Sequence, residues 1–316
     1  MSRDVGRRSG RGGPSDTHGV RIVRVLAPNP DVFTLEGTNT YVLATEGSGA
    51  GGAIVIDPGP DDTGHLDEVQ RAAGSVEAIV LTHRHPDHAP GATPLAERTG
   101  APVYAFRPPE HGRSLRDGQV VRADGVALTA MHTPGHTPDH VSLVLGDPPV
   151  LFTGDAVLGR GTSVIDPPEG DLAAYLRSLR RMRELAPRTI YPGHGPVVLD
   201  GTAKLDEYLA HRDEREQQLE RALAAGAATI GELVDAIYTG YPDEVKPLAA
   251  RSVLAHLLKL EGEGGVSHTG HGDGARYELA ERRSCQRCGR PVRGRARLCE
   301  RCQLGALQEA PGDASG

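Results

Sequence analysis

The densest chemistry in the chain is Thr82-His-Arg-His-Pro-Asp-His88, where three imidazoles and a carboxyl fall within six positions. Imidazole and carboxylate are ligands for Zn²⁺ and similar ions, and alternation along a turn aims several side chains at one point. A solvated loop with incidental histidines is the competing reading. Fourteen His in 316 residues, however, put three in six positions far above the chain's own average. Three further turns offer donors: Thr133-Pro-Gly-His136, Phe152-Thr-Gly-Asp155 and Tyr191-Pro-Gly-His194-Gly. Each is weak alone, because a strand-end histidine more often serves structure. Four such turns together point to one convergent metal-binding site.

Those turns need a frame, and the flanking patterns supply one. Residues 20–26, 40–44 and 53–57 are strand-like, and Asp-Pro-Gly ends the third with a turn. Residues 76–82 read as a buried strand running into the histidine motif, with helical patterns at 64–73 and 89–98 on either side. More β signals follow at 102–106, 126–131, 141–145, 150–153 and 189–191. Leu172, Leu176, Leu179 and Met182 mark one face of a helix. Strand clusters with interspersed helices predict layers in which helices cover sheets. Past residue 200 the texture turns helical: 203–225 as a charged helix, 229–237 with a Thr cap, and 247–261 with Leu254, Leu257, Leu258 and Leu260 on its buried side. Gly-rich 262–276 followed by 277–279 suggests a two-stranded wing, and so a small winged-helix domain.

Composition removes several classes. Hydrophobic residues are 38% of the chain and occur in short runs, whereas a membrane span needs about 20 consecutive apolar residues. The first twenty residues lack the apolar stretch of a secretory signal. Aromatics are scarce (8 Tyr, 3 Phe, no Trp), which disfavours a stacked-base platform. The net charge of −7 is uneven: residues 1–24 carry +4, residues 282–302 carry +7, and residues 25–281 carry −16. An acidic body with basic ends is not a broad nucleic-acid surface. No cysteine precedes Cys285, so the body has neither a thiol nucleophile nor a disulfide framework, consistent with a reducing, cytoplasmic setting. Neither a Gly-x-Ser-x-Gly elbow nor a phosphate-binding Gly-rich loop is present.

In their order, the THRHPDH, TPGH, TGD and PGHG segments resemble the metallo-β-lactamase fold superfamily of metallo-hydrolases. Phe33-Thr-Leu-Glu-Gly-Thr-Asn-Thr-Tyr41, Gly159-Arg-Gly-Thr162, Ile190-Tyr-Pro-Gly-His-Gly-Pro196 and the winged-helix tail make the chain similar, more narrowly, to the β-lactamase-like protein 2 group. That group is known for endoribonuclease activity on single-stranded RNA. The resemblance, over roughly residues 22–280, implies an α+β fold, an αββα sandwich with a binuclear metal site at one edge and a C-terminal winged helix. By matching positions it implies that His83, His85 and His136 hold one ion, that Asp87, His88 and His194 hold the second, and that Asp155 bridges them. Asp57 falls where the family has an acid behind the ligands. His132 is left out, because the family's ligand follows Pro-Gly.

Two Zn²⁺ (or Mn²⁺ or Fe²⁺) would share a bridging hydroxide nucleophile, since zinc lowers a bound water's pKa from about 15.7 to about 7. Asp87 is the candidate to hold the hydroxide's proton, so Asp87 and Asp155 are the expected catalytic residues. The first substrate expectation is single-stranded RNA, with Arg84 and Arg160 as part of a narrow basic track. The alternative is a small thioester, lactone or other ester, as in glyoxalase-II-like relatives. The third is a non-enzymatic nucleic-acid binder reading through Arg251, His256 and Lys259. Against that third reading, the expected place of the winged helix is beside the active-site mouth, as a wall or lid. Cys285-Gln-Arg-Cys288-Gly and Cys299-Glu-Arg-Cys302 have the spacing of a zinc ribbon, one structural Zn²⁺ held by four thiolates. The eight Arg around it suit nucleic-acid or protein contact. The expected division is 1–19 a disordered basic N-terminus, 20–200 catalytic, 201–226 a connector helix, 227–281 winged helix, 282–303 the four-cysteine tail and 304–316 a disordered C-terminus. No membrane partner is expected, and oligomeric state is not legible.

Overall fold

The structure is a computed structural model that describes residues 19–47 and 51–280, together with the backbone of two short paired strands, Arg283–Ser284 and Pro291–Val292. The expected termini and all four cysteines lie outside the described residues. Contacts divide the described chain into two compact units, residues 19–163 with 174–209, and residues 164–173 with 210–280.

In the first unit, β1 (Val20–Leu26), β2 (Asn39–Thr45), β3 (Gly52–Ile56), β4 (Ser75–Val80), β5 (Val103–Ala105) and β6 (Arg113–Ser114) form one sheet in that order. Its first two pairings are antiparallel and the other three parallel. The second sheet runs β11 (Thr189–Pro192), β10 (Val150–Gly154), β9 (Val141–Leu145), β8 (Val126–His132), β7 (Val120–Ala123). Strand alternation explains why both faces of the first sheet are apolar. Tyr41, Leu43, Ile54, Ile56, Ala78 and Val80 meet Leu128, Ala130, Val141, Leu143 and Phe152 of the second sheet in one core. The intervening Val42, Val55 and Ile79 point outward beneath Leu66 and Val69 of α1 (Thr63–Ala73) and Leu95 of α2 (Ala92–Thr99). On the second sheet, α3 (Leu172–Glu184) contributes the buried Tyr175, Leu179 and Met182. Ser142 Oγ donates to Met182 Sδ, and Ser178 Oγ to Pro134 O. The result is the αββα sandwich. The strands feeding the chemistry, β4, β8, β10 and β11, all end at their motif turns.

The second unit is a winged helix. Its core combines Leu219 and Leu223 of α4 (Gly201–Leu223), Leu233 and Val234 of α5 (Ile230–Ile237), Val253, Leu257 and Leu260 of α6 (Lys246–Gly262), and Val266 and Tyr277 of the wing, β12 (Val266–Thr269) and β13 (Arg276–Leu279). Thr229 and Glu232 form a reciprocal capping box at the start of α5. The buried face of α6 differs from expectation. Leu258 is 44% exposed, whereas Val253, His256, Leu257 and Leu260 are buried. Position 258 lies about 100° around the helix from 257, off the stripe that 253, 257 and 260 share. No helix among the described residues is long and apolar enough to cross a membrane.

His256 is fully buried, and neither ring nitrogen has a hydrogen-bond partner. Burial, then the nearby Arg212, Lys259, Arg215 and His211, pushes its pKa down to about 3. At neutral pH it is therefore uncharged, and its 3.9 Å approach to Glu216 is not an ion pair. The unfolded chain takes up the proton first, so the stability this ring contributes is complete above pH ~6.5 and drains away as pH falls toward 3. Denaturant titrations should show His256→Leu flattening the acid-side slope by about 1.4 kcal/mol per pH unit between pH 6 and 4. Equal slopes in the two proteins would contradict this.

Candidate metal centre

Asp155 sits immediately after β10, and its two carboxylate oxygens face different imidazole sets. Oδ2 lies 4.0 Å from His83 Nε2 and 3.6 Å from His136 Nε2. Oδ1 lies 3.3 Å from both His88 Nε2 and His194 Nε2. His85 Nδ1 completes the first set, 3.0 Å from His83 Nε2 and 3.1 Å from His136 Nε2. Asp87 Oδ2 completes the second, 3.0 Å from His194 Nε2 and 3.4 Å from His88 Nε2. Within each set the donor atoms all lie within 4.8 Å of one another. A tetrahedral ion with bonds of about 2.0–2.2 Å sets its ligand atoms roughly 3.3–3.6 Å apart, so the observed separations suit one ion per set.

Backing hydrogen bonds decide which nitrogens carry lone pairs. Asp57, 2% exposed, accepts from Thr82 N and Thr82 Oγ1, each at 2.7 Å, and from His88 Nδ1 at 2.9 Å. With its hydroxyl proton given to Asp57, Thr82 Oγ1 accepts from His83 Nδ1 at 3.0 Å. His194 Nδ1 donates to Gly37 O at 3.3 Å. With Nδ1 committed to these bonds, His83, His88 and His194 in their neutral forms turn Nε2 lone pairs into the centre, as ligation requires. The turn at Gly193 permits the crowding, since a Cβ there would stand 2.6 Å from Asp155 Oδ1 and 2.7 Å from His88 Cε1.

The electrostatics call for a cation. Burial would raise Asp155, but His88 and His194 outweigh it and hold the carboxyl well below its ordinary range. Asp87 is likewise lowered, burial being overcome by its bonds to His194 and His88. Burial opposes charge on His88 too, yet Asp155 and Asp57 raise it well above the imidazole range, and Asp155 and Asp87 carry His194 to about 9. Without another cation, protons supply the positive charge. A divalent ion displacing them satisfies four donors at once and releases protons on binding. Asp155 Oδ1, buried and without a hydrogen-bond partner, fits that role.

All seven residues expected from the motif turns are thus brought together, with Asp57 behind them. His132 stands apart, stacked on Phe106 at 4.0 Å between ring centroids and bonded to Pro138 O. Sequence reasoning missed Thr82, Thr133 and His140. His140 is buried, its Nδ1 2.9 Å from Thr133 Oγ1 and its ring 5.2 Å from that of His83. Burial, followed by the charge of His136, holds it well below the usual imidazole pKa. Its position four residues after His136 was the available signal.

A sequence model of the metallo-beta-lactamase superfamily matches residues 33–111 and 104–194. A beta-lactamase-like protein 2 homolog of Drosophila melanogaster is 37% identical over 267 residues, covering 77% of this chain and 88% of that protein. The chain belongs to the metallo-beta-lactamase superfamily. Residues 229–275 match the beta-lactamase associated winged helix domain, so this family member carries that appendage as well. An atrochrysone carboxyl ACP thioesterase of Aspergillus chevalieri is 36% identical over 259 residues, 77% of this chain and 82% of its own. Among solved structures, a metallo-beta-lactamase family protein from Thermus thermophilus superposes with a TM-score of 0.67 at 26% identity, covering 83% of this chain and 99% of that one. Members of the superfamily are metallo-hydrolases, and this chain has the His/Asp cluster for a dinuclear site.

Proposed function

We propose that the chain is a binuclear zinc hydrolase of small acyl esters or thioesters, with Mn²⁺ or Fe²⁺ as alternative occupants. The observation that carries the reading is the division of the Asp155 oxygens between two imidazole sets. His83, His85, His136 and Asp155 would hold one ion, and Asp87, His88, His194 and Asp155 the other. When bound, the ions supply water activation and polarisation of the scissile carbonyl. Asp57 fixes the tautomer of His88 and, through Thr82, that of His83. Asp87, at 23% side-chain exposure against 13% for Asp155, is the carboxylate better placed to hold a proton at the open side.

The thioesterase relative and the charge of −16 over residues 25–281 favour an acyl substrate over RNA. A second reading, endoribonuclease action on single-stranded RNA, is supported by exposed Arg84 between two of the imidazoles. A duplex-reading role for α6 has little to work with. His256 is buried, Arg251 is paired with Asp166 at 2.6 Å, and Lys259 bonds Glu216.

We further propose the division 20–200, 201–226 and 227–281 for the body, a cytoplasmic location suited to reduced thiols, and a structural Zn²⁺ on Cys285, Cys288, Cys299 and Cys302, whose Arg-rich surroundings would contact nucleic acid or protein. Elemental analysis of the full chain should then find three ions, and two after all four cysteines are changed to serine. The serine variant should keep thioester hydrolysis. The substrate assay pairs S-butyryl-N-acetylcysteamine with labelled single-stranded RNA, each with and without chelator. Chelator-sensitive thioester cleavage is expected. RNA cleavage with the thioester left intact would replace the acyl reading, and turnover of both unaffected by chelator would end the metal reading.

A further inference from the structure

Two loops that each hydrogen-bond His194 are joined by an exposed ion pair. Gly37 O accepts from His194 Nδ1, and its neighbour is Glu36. Gly159 N donates to His194 O at 2.9 Å, and its neighbour is Arg160. Arg160 Nη2 meets Glu36 Oε1 at 2.9 Å, with the two side chains 62% and 52% exposed. The guanidinium holds the Glu36 carboxyl below its ordinary pKa. Each partner thus stands one residue from a backbone group bonded to the same metal-centre histidine.

Both backbones are fixed. On the Glu36 side, Gly37 N bonds Thr34 O at 2.9 Å, and Asn29 ties Thr38 through its Oδ1 and Nδ2. On the other, Gly159 lies so close to the turn after His194 that a Cβ on it would stand 2.1 Å from Pro196 O. Only the two side chains are left to move. An exposed ion pair contributes little to stability, so breaking it is easy for a competitor that offers Arg160 a better-placed anion.

We infer that Arg160 is a specificity-determining residue that binds an anionic group, carboxylate or phosphate, on the substrate, and that Glu36 occupies it until substrate arrives. This rests on the hydrolase reading. The donor fork of arginine suits both oxyanions in bidentate fashion. Glu36 then acts as an internal competitor, filtering for substrates whose anion sits a fixed distance from the scissile bond.

The test compares S-succinyl- with S-butyryl-N-acetylcysteamine, thioesters of equal acyl length that differ in a terminal carboxylate, with bis(4-nitrophenyl) phosphate as the phosphate arm. In Arg160→Ala the succinyl-to-butyryl ratio of kcat/KM should fall about tenfold, mainly through the succinyl KM. In Glu36→Gln it should rise several-fold, and the double variant should match Arg160→Ala. A change confined to the phosphodiester would assign the site to phosphate. Ratios unmoved in both single variants would overturn the inference, as would Glu36→Gln behaving like Arg160→Ala. If wild-type protein cleaves none of the three, the hydrolase reading fails by itself. Titration of inorganic phosphate into wild type and variants then decides: tighter binding to Glu36→Gln and weaker to Arg160→Ala sustains the pair's role, and equal binding removes it.

Discussion

Changing Asp155 to asparagine should lower hydrolysis by about 10³-fold or more and leave at most one catalytic ion per chain. The substitution keeps the shape of the side chain and removes its symmetry. As aspartate, Oδ1 serves His88 and His194 while Oδ2 serves His83 and His136. An amide has one acceptor oxygen, and its NH₂ would point N–H bonds at the nitrogens of the other set, where a ligand must present a lone pair. It also removes the charge that, with Asp87, keeps His194 at about 9. Lewis-acid stabilisation by bound metal is worth several kcal/mol, and each 1.36 kcal/mol is about tenfold in rate, which gives the magnitude. Metal content by elemental analysis and kcat/KM on the butyryl thioester should fall together. Two retained catalytic ions, three per chain in all, with activity within tenfold of wild type would show that the carboxylate does not bridge.

Much of the site was legible because its chemistry is concentrated in turns. His83, His85, Asp87 and His88 are adjacent in sequence, and Pro-Gly marks the turns before His136 and His194. The frame was legible where strands are long and buried on both faces, as in β3, all five of whose residues are buried. It was not legible at one edge of each sheet. β6 has two residues and β7 reads Val-Val-Arg-Ala, so neither offers enough period to register before its partner strand is known. The layer behind the ligands was hidden for a different reason. Thr82 and Thr133 act through a hydroxyl whose partner is decided by folding: Thr82 meets Asp57 across 25 residues. His256 illustrates the converse error, in which a polar residue on a helix reads as surface. Its spacing of three from Val253 and four from Leu260 places it on the buried stripe.

Asp57 never touches an ion in the proposed arrangement, yet changing it should cost the second ion. The carboxylate accepts from three buried donors, Thr82 N, Thr82 Oγ1 and His88 Nδ1. It stands at a positive φ of 47°, so the turn itself is built around this residue. Asp57→Ala takes that acceptor from all three, a loss of a few kcal/mol in stability, and frees the His88 ring to change tautomer. Asp57→Asn separates the two effects. Its oxygen can still accept from Thr82 N, but its NH₂ then faces His88 Nδ1 and favours the tautomer with a lone pair there and a proton on Nε2. A protonated Nε2 cannot ligate, so the site of Asp87, His88 and His194 should empty, and that of His83, His85 and His136 should weaken, because Thr82 Oγ1 loses the same acceptor and no longer fixes the His83 tautomer. Replacing such backing residues typically lowers metal affinity or activity about 10–100-fold. Equilibrium dialysis against zinc should accordingly find at most one tight catalytic ion in Asp57→Asn, with the imidazole ¹⁵N shifts of His88 reporting the exchanged tautomer. Two tight catalytic ions with His88 shifts unchanged would mean that the tautomer is set by the metals and not by Asp57.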